Sequence, residues 1–203
     1  MTYKFFRDEI PQQGMTYKEY KQKFIEEVNS TGVEKLVESE KELFEYKKLN
    51  LVRSGRIDKS YYVSAELAAE IQNIKEKQLW MILTETWCGD SAQNLPYISK
   101  MAEKNTNIDL RIILRDSNPE IMDLYLTNGA RSIPKLVAFD AEGNELFTWG
   151  PRPKAAHELI KQWKSEGIVK PELYEKLHLW YGRNRGRDIE AEFTELLSKV
   201  EQE

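Results

Sequence analysis

Residues 79–96 read LWMILTETWCGDSAQNLP, and this stretch decides the fold of the chain. Its first half is an apolar run typical of a buried strand, and its second half predicts a helix from Gly89 to about Lys104. Cys88 is the only cysteine among 203 residues, and it lies where the strand gives way to the helix. Unpaired N–H groups and the helix dipole favour a thiolate at such a position. The alternative is a buried, inert cysteine. We favour a functional thiol, because the polar residues after Cys88 are unsuited to a core.

Further features follow in order along the chain. Pro96 interrupts the predicted helix eight residues after Cys88, and an interior proline bends a helix. Ile133-Pro134 precedes an apolar run at 136–139, and the turn at 140–144 leads to a last strand, Glu145 to Trp149. With the Trp-Cys-Gly sequence at 87–89, this order resembles the thioredoxin superfamily over roughly residues 60–165.

The resemblance implies an α/β fold with a mixed central sheet flanked by helices. It also implies a cis-proline at Pro134, beside the reactive Cys88. The substrate-binding residues implied in this way are Trp87, Gly89, Ile133 and Pro134.

The departures from the family pattern bear on function. Ser91 stands where thioredoxins carry the resolving cysteine, so no disulfide can close within one chain. Ile82 stands where they bury an acid that serves that second thiol. Glu85 is the nearest acid and is expected at the rim of the site, or alternatively as a solvated charge at a strand end. The candidate catalytic residues are therefore Cys88 as nucleophile, with Ser91, Asp90 and Glu85.

Asp90 limits the expected activation of the thiol. A helix N-terminus stabilises an anion by roughly 0.3–1 kcal/mol, which corresponds to about one pKa unit at most. A carboxylate two residues from Cys88 offsets part of this effect, although Asp90 also suits the first turn of a helix. We therefore expect Cys88 to be mildly activated.

Composition excludes several functional classes. The net charge of −4, with no basic block, argues against nucleic-acid binding, and no apolar run is long enough for a membrane span. The first residues lack a secretory signal, and a single cysteine is typical of a reducing compartment, so we predict a cytoplasmic protein. His157 and His178 lie on separate predicted helices, where we expect surface positions. We accordingly predict neither a metal nor another cofactor.

Helical extensions are predicted on both sides of the thioredoxin-like domain. The proposed divisions are 1–59, 60–165 and 166–203. In the first, a capping box at Thr16 and Glu19 opens one helix. A second helix is predicted to carry Val33, Leu36, Val37, Leu43 and Phe44, and to break at Gly55. In the thioredoxin-like domain we predict a first strand at 61–63, a helix from Ser64 to Ile74, strands at 79–84 and 108–114, and helices at 118–128 and 153–164.

The last division is predicted to hold two helices. The first begins near Pro171 and stops at Gly182, and the second is capped by Asp188. Trp180 and Tyr181 fit a partner-binding edge or, preferably, a core. Three arginines follow, at Arg183, Arg185 and Arg187. They could hold an anionic group, but a solvated loop is the favoured interpretation.

Two functional hypotheses follow. In the first, Cys88 attacks a protein or low-molecular-weight disulfide, and an external thiol resolves the mixed disulfide. In the second, the chain is a binding module without redox turnover that uses the groove beside Pro134. A homodimer linked through Cys88 is a further possibility, since no internal partner exists. The Cys-Gly-x-Ser pattern of monothiol glutaredoxins, which bind an iron–sulfur cluster, is a weaker alternative, because Asp90 would disfavour an anionic cluster.

Overall fold

The computed structural model describes residues 2–30, 32, 34 and 36–200. Within that part of the chain it forms a mixed four-stranded sheet with helices on both faces, as a thioredoxin-like fold requires. The strands are β1 (Gln78–Thr84), β2 (Ile108–Leu114), β3 (Lys135–Phe139) and β4 (Glu145–Trp149). The helices are α1 (Lys4–Arg7), α2 (Tyr17–Ser30), α3 (Glu38–Ser60), α4 (Ala65–Asn73), α5 (Gly89–Ala102), α6 (Pro119–Met122), α7 (Lys154–Ser165), α8 (Lys170–Asn184) and α9 (Arg187–Val200).

The sheet has the strand order β2-β1-β3-β4. Ile82 of β1 is paired with Ile112 of the parallel strand β2 and with Leu136 of the antiparallel strand β3. All of β1 is buried, which explains its continuous apolar sequence. The predicted hairpin joins β3 to β4, and the Asp140 side chain accepts a hydrogen bond from the Asn144 N–H at 2.8 Å. Because β1 lies between β2 and β3, the loop that carries Cys88 leaves the sheet from a central strand.

Helices from both ends of the chain cover one face of the sheet. This face packs against α2, α4, α5 and α9 around Trp80 and Leu136. Phe193 of α9 packs into this core, with its ring centroid 5.7 Å from those of Trp80 and Trp149. The opposite face, with Met81 and Val137, is covered by α1, α6 and Tyr125. The three-part division of the chain stays a prediction, although α9 is packed directly on the sheet.

The predicted strand at 61–63 is wrong. These residues link α3 to α4 without joining the sheet. Tyr61 is held by helices instead, because its ring packs at 4.5 Å on Tyr97 and its hydroxyl donates to Glu190. At the edge of the sheet beside β2, a single bridge joins Met15 to Ile112.

Several predicted helix limits also need correction. α3 runs through Gly55, where a side chain would meet nothing within 4 Å, so the predicted break is wrong. Leu36 and Val37 precede this helix, and Val33 lies outside the described residues. α6 ends at Met122 and not near 128, because the chain passes into turns at 123–125 and then into a tight turn at 127–130, where Asn128 is left-handed.

Near the C-terminus, α8 continues past Gly182 to Asn184 and ends at Arg185, whose φ is 54°. Asp188 lies within the first turn of α9 and does not precede it. By contrast, the capping box at Thr16 and the Ser64 cap are confirmed. Among the described residues, none of the helices is both long and apolar enough to cross a membrane.

Candidate functional site

Cys88 is the N-cap residue of α5 and lies beside the Ile133–Pro134 peptide bond, which is cis. Its Sγ accepts a hydrogen bond from the Ser91 N–H at 3.4 Å, as the helix N-terminus predicts. The thiol also donates to the Ile133 carbonyl oxygen at 3.2 Å. The first bond favours the thiolate, whereas the second needs the proton on sulfur. The structure therefore brings together Cys88, Ser91, Ile133 and Pro134.

Burial decides the protonation state of the thiol. Cys88 is only 8% exposed, and burial, with the nearby Asp90 charge, raises the pKa of its thiol to about 11. The hydrogen bonds from Ser91 and the Asp90 backbone oppose this rise without reversing it. The expected mild activation of Cys88 is therefore wrong for this conformation, because loss of water outweighs the helix terminus.

Ser91 and Glu85 support the site without placing a second reactive group at the sulfur. The Ser91 hydroxyl lies 2.6 Å from that of Thr84, its hydrogen-bond donor, at the end of β1. Glu85 is buried, and its carboxylate accepts a hydrogen bond from the Asp116 N–H at 2.8 Å, fixing the loop after β2. Burial raises the pKa of this carboxyl. The alternative of a solvated charge is therefore wrong for Glu85.

Asp90 lies in a buried polar cluster at the start of α5. Arg152, in the loop after β4, pairs with its carboxylate through Nε and Nη2. Tyr181 of α8 donates to the other carboxylate oxygen at 2.5 Å. Asn94 donates to the Asp90 carbonyl at 2.8 Å and to the Tyr181 hydroxyl at 3.0 Å. Asp90 thus joins the active-site helix to α8 and to the loop after the last strand.

A second set of contacts covers the same helix start. His178 of α8 lies 3.0 Å from the Tyr46 hydroxyl and 3.2 Å from the Gln93 amide nitrogen. A Cβ atom on Gly89 would lie 2.8 Å from the Tyr46 oxygen and 3.0 Å from the His178 ring. Burial and the Arg53 charge lower the pKa of His178 to about 3, so the imidazole is neutral. The predicted surface position of His178 is therefore wrong, because the residue is partly buried and its ring is bonded to Tyr46 of α3 and Gln93 of α5.

The remaining predicted binding residues differ in accessibility. Ile133 and Pro134 are buried, so the groove beside the cis-proline is closed in this structure. Trp87 is partly buried, and the Arg115 guanidinium lies 4.7 Å from its ring centroid. Asn50 of α3 donates to the Trp87 carbonyl at 3.1 Å. We call the parts of α3 and α8 around Tyr46, Asn50, His178 and Tyr181 the helical cap.

Sequence reasoning missed the residues that build this cap. Arg152 follows a second cis-proline, at Gly150–Pro151, and no motif linked it to Asp90. Tyr181 is buried, in agreement with the preferred core interpretation, but its hydroxyl bond to Asp90 depends on tertiary contact. The available signal for these partners was Asp90 beside the lone cysteine, since a carboxylate that is buried there needs a cation or a donor to pair with it. Among the described residues, no group of three or more His, Cys, Asp or Glu is arranged to hold a metal ion.

Comparisons with known proteins agree with this architecture. A family model described as thioredoxin matches residues 37–164. A protein of unknown function from Pseudomonas aeruginosa has a similar solved structure, with a TM-score of 0.63, 16% identity, and coverage of 98% of this chain and 99% of that one. An HIV epitope scaffold is similar at a TM-score of 0.59 and 17% identity, with the same coverage. No curated protein matches the sequence. Because the family match spans well over half of the residues, the chain belongs to the thioredoxin family.

Proposed function

We propose that this chain is a cytoplasmic monothiol protein that carries out thiol–disulfide exchange through Cys88. The observation that carries the proposal is the position of its Sγ, 3.4 Å from the Ser91 N–H at the start of α5 and 3.2 Å from the carbonyl beside the cis-proline. An attacking thiolate at this position gains a hydrogen bond from the helix, and the backbone at 133–134 lies next to it. Its substrates are proteins or small molecules that contain a disulfide.

The exchange needs no oxidant other than the substrate disulfide. The Cys88 thiolate attacks one substrate sulfur, the substrate S–S bond breaks, and the other sulfur leaves as a thiolate. An external thiolate then attacks the mixed disulfide and releases Cys88, which takes up a proton. Ser91 takes no part as a nucleophile, and its N–H instead stabilises the charge on the Cys88 sulfur.

Burial of the sulfur, in a cluster that includes Met122, Tyr125 and Ile133, is expected to limit the rate of this reaction. With a pKa of about 11, about one molecule in ten thousand holds a thiolate at pH 7. Exposure of Cys88 to water removes the main cause of the raised pKa. We therefore propose that substrate reaches the thiol when the start of α5 shifts, a movement that the helical cap restrains through the bond from Tyr181 to Asp90. Burial of the sulfur likewise disfavours a dimer of folded chains linked through Cys88.

The test is capture of a mixed disulfide on the folded protein. Incubation with glutathione disulfide at pH 8 should add one glutathionyl group, seen by intact-mass spectrometry, and dithiothreitol should remove it. Cys88→Ser should show no addition. Tyr181→Phe loosens the cap and should speed the addition severalfold. If the folded protein stays unmodified while the urea-unfolded protein reacts, and Tyr181→Phe changes nothing, the proposal fails.

The second candidate is a binding module without redox turnover. The raised pKa of Cys88 and the absence of a resolving cysteine favour it. The burial of Ile133 and Pro134 counts against the groove proposed for it, unless the cap opens. Pull-down with the Cys88→Ser protein distinguishes the two, because a binding module keeps its partners, whereas partners held by mixed disulfides are lost.

A further inference from the structure

A polar cavity lies away from the sulfur, between α3, α5 and the turn from α8 to α9. Its volume is about 580 Å³, and its walls include Arg56, Tyr62, Gln93, Tyr97 and Arg185. Tyr62 is 83% exposed at its rim, so the cavity is open to solvent. Its walls include helices that precede and helices that follow the thioredoxin-like core in the sequence.

Tyr97 places an unpartnered polar group in this cavity. The residue is only 7% exposed, yet its hydroxyl makes no hydrogen bond with any residue that the structure describes. The hydroxyl oxygen is open to the cavity, where water or a ligand can bond to it. The Tyr97 ring is held firmly, because it packs at 4.5 Å on Tyr61 and closely against Gly186. The hydroxyl is thus a fixed donor that faces an open cavity.

Two guanidinium groups accompany that hydroxyl. Arg56 and Arg185 line the same cavity, and within the described part of the chain neither side chain forms a hydrogen bond or an ion pair. Both charges act on the Tyr97 phenol and oppose the rise that burial causes in its pKa. Arg185 lies at the turn between α8 and α9, where its φ is 54°. The next residue, Gly186, has no side chain and so leaves room for the Tyr97 ring. Three hydrogen-bond donors, the Arg56 and Arg185 guanidinium groups and the Tyr97 hydroxyl, therefore line the same cavity.

Glu190 also lines this cavity, and one of its two carboxylate oxygens is bonded to neighbouring groups. One of its oxygens accepts from the Tyr61 hydroxyl at 2.5 Å and from the Ser64 N–H at 2.9 Å. Its charge is opposed by those of Arg56 and Arg185, which leaves the cavity positive. An anion in the cavity therefore meets two cations and one carboxylate, one oxygen of which already accepts two hydrogen bonds.

We propose that this cavity is a binding site for the oxyanion group, phosphate or carboxylate, of a small ligand, held by Arg56, Arg185 and the Tyr97 hydroxyl. Guanidinium groups bind both kinds of oxyanion through paired N–H donors, and a phosphate offers enough oxygens for all three side chains. The site does not depend on the chemistry proposed for Cys88.

The test is a titration of the ¹⁵N-labelled protein, followed by NMR, with inorganic phosphate and separately with acetate at constant ionic strength. Saturable shifts around Tyr97 and Arg185 are expected. Saturation by phosphate alone, or by acetate alone, identifies the oxyanion. Arg56→Gln and Arg185→Gln should each weaken binding about tenfold, since a hydrogen bond to a charged group is worth about that much. Tyr97→Phe should also weaken it while leaving the fold intact.

Arg183→Gln is the matched control. It removes the same charge from the same segment, but Arg183 does not line the cavity, so binding should change less than twofold. Absence of saturable shifts with both anions, or an equal loss in Arg183→Gln, would overturn the proposal. The titration is repeated in the Cys88→Ser protein, where the result should be unchanged. Failure of anion binding is thereby distinguished from failure of thiol exchange.

Discussion

At the residue scale, Asp90 and Arg152 form an ion pair whose side chains are 9% and 19% exposed. Such a pair contributes little beyond two apolar groups of equal size, but removal of one partner leaves a buried charge. The pair also connects the start of α5 with the loop after β4. Its loss should therefore affect both stability and the shielding of Cys88.

We expect Asp90→Asn to lower the free energy of unfolding by about 3 kcal/mol, because Arg152 is left without its counterion. Urea denaturation measures this change. The matched control is Asp109→Asn, which breaks an ion pair with Arg111 at an aspartate side chain that is 52% exposed and should cost less than about 1 kcal/mol. Equal effects in the two variants would show that the Asp90 pair is not effectively buried.

His178 gives the fold a sensitivity to acid. Its pKa is about 3 in the folded protein, against about 6.5 when unfolded. Between these values the unfolded chain binds the extra proton, so stability should fall as the pH drops from about 6.5 towards 3, by up to about 1.4 kcal/mol per pH unit. Urea midpoints at pH 7, 6, 5 and 4 measure the slope. His178→Gln should flatten it, and an unchanged slope in that variant would contradict the assignment.

At the scale of elements, the start of α5 is packed so closely that Gly89 has no room for a side chain. We expect Gly89→Ala to destabilise the fold by about 1–3 kcal/mol, since a Cβ would overlap the Tyr46 hydroxyl and the His178 ring. Gly182→Ala is the control, because it lies within α8 with nothing within 4 Å. That change should stabilise the protein by about 0.5–1 kcal/mol through helix propensity. Thermal unfolding distinguishes the opposite signs.

Local patterns predicted the elements whose cause is local. The limits of β2 and β4, the capping box at Thr16 and the Ser64 cap follow from apolar runs and short-range hydrogen bonds. Tyr61 was assigned to a strand because aromatic residues favour strands, yet its tertiary partners lie on α5 and α9. Gly55 suggested a helix end, but α3 continues because it packs along α5.

In the candidate site too, some features follow from local sequence and others depend on tertiary packing. Cys88 lies at the N-cap of α5 and beside the Ile133–Pro134 peptide bond. Its protonation was not predicted, because the effect of a helix terminus can be read from sequence, whereas burial depends on tertiary packing around the sulfur. Arg152 and His178 come from loops and helices distant along the chain, and neither carried a local signal.

At the scale of the whole molecule, the C-terminal helix α9 completes the core of the thioredoxin-like sheet. Phe193 is fully buried, and its ring contacts Trp80, Phe147 and Trp149. We expect Phe193→Ala to cost about 3–5 kcal/mol, measured by chemical denaturation. Leu179→Ala, at a side chain that is 53% exposed, should cost less than about 0.5 kcal/mol. A small loss in Phe193→Ala would mean that the sheet is stable without α9.

The packing of the whole molecule leaves Cys88 at the family position while its thiol stays protonated. The strand and helix place Cys88 beside the cis-proline, where the sulfur belongs to a buried cluster that includes Met122, Tyr125 and Ile133. Asp90 provides the connection, because it joins α5 to α8 through Tyr181 and to the last loop through Arg152. Reactivity should therefore depend on exposure of the buried sulfur more than on the loop sequence.

The most direct test is the rate of Cys88 alkylation by iodoacetamide against pH, in folded and urea-unfolded protein. We expect the folded rate to rise without a plateau up to a pH of about 11, and the unfolded rate to level off near 8.5. At pH 8 the folded protein should react more than about a hundredfold more slowly. A folded-state plateau below pH 8.5, with a rate equal to that of the unfolded chain or faster, would contradict the claim that the fold holds Cys88 as a shielded thiol.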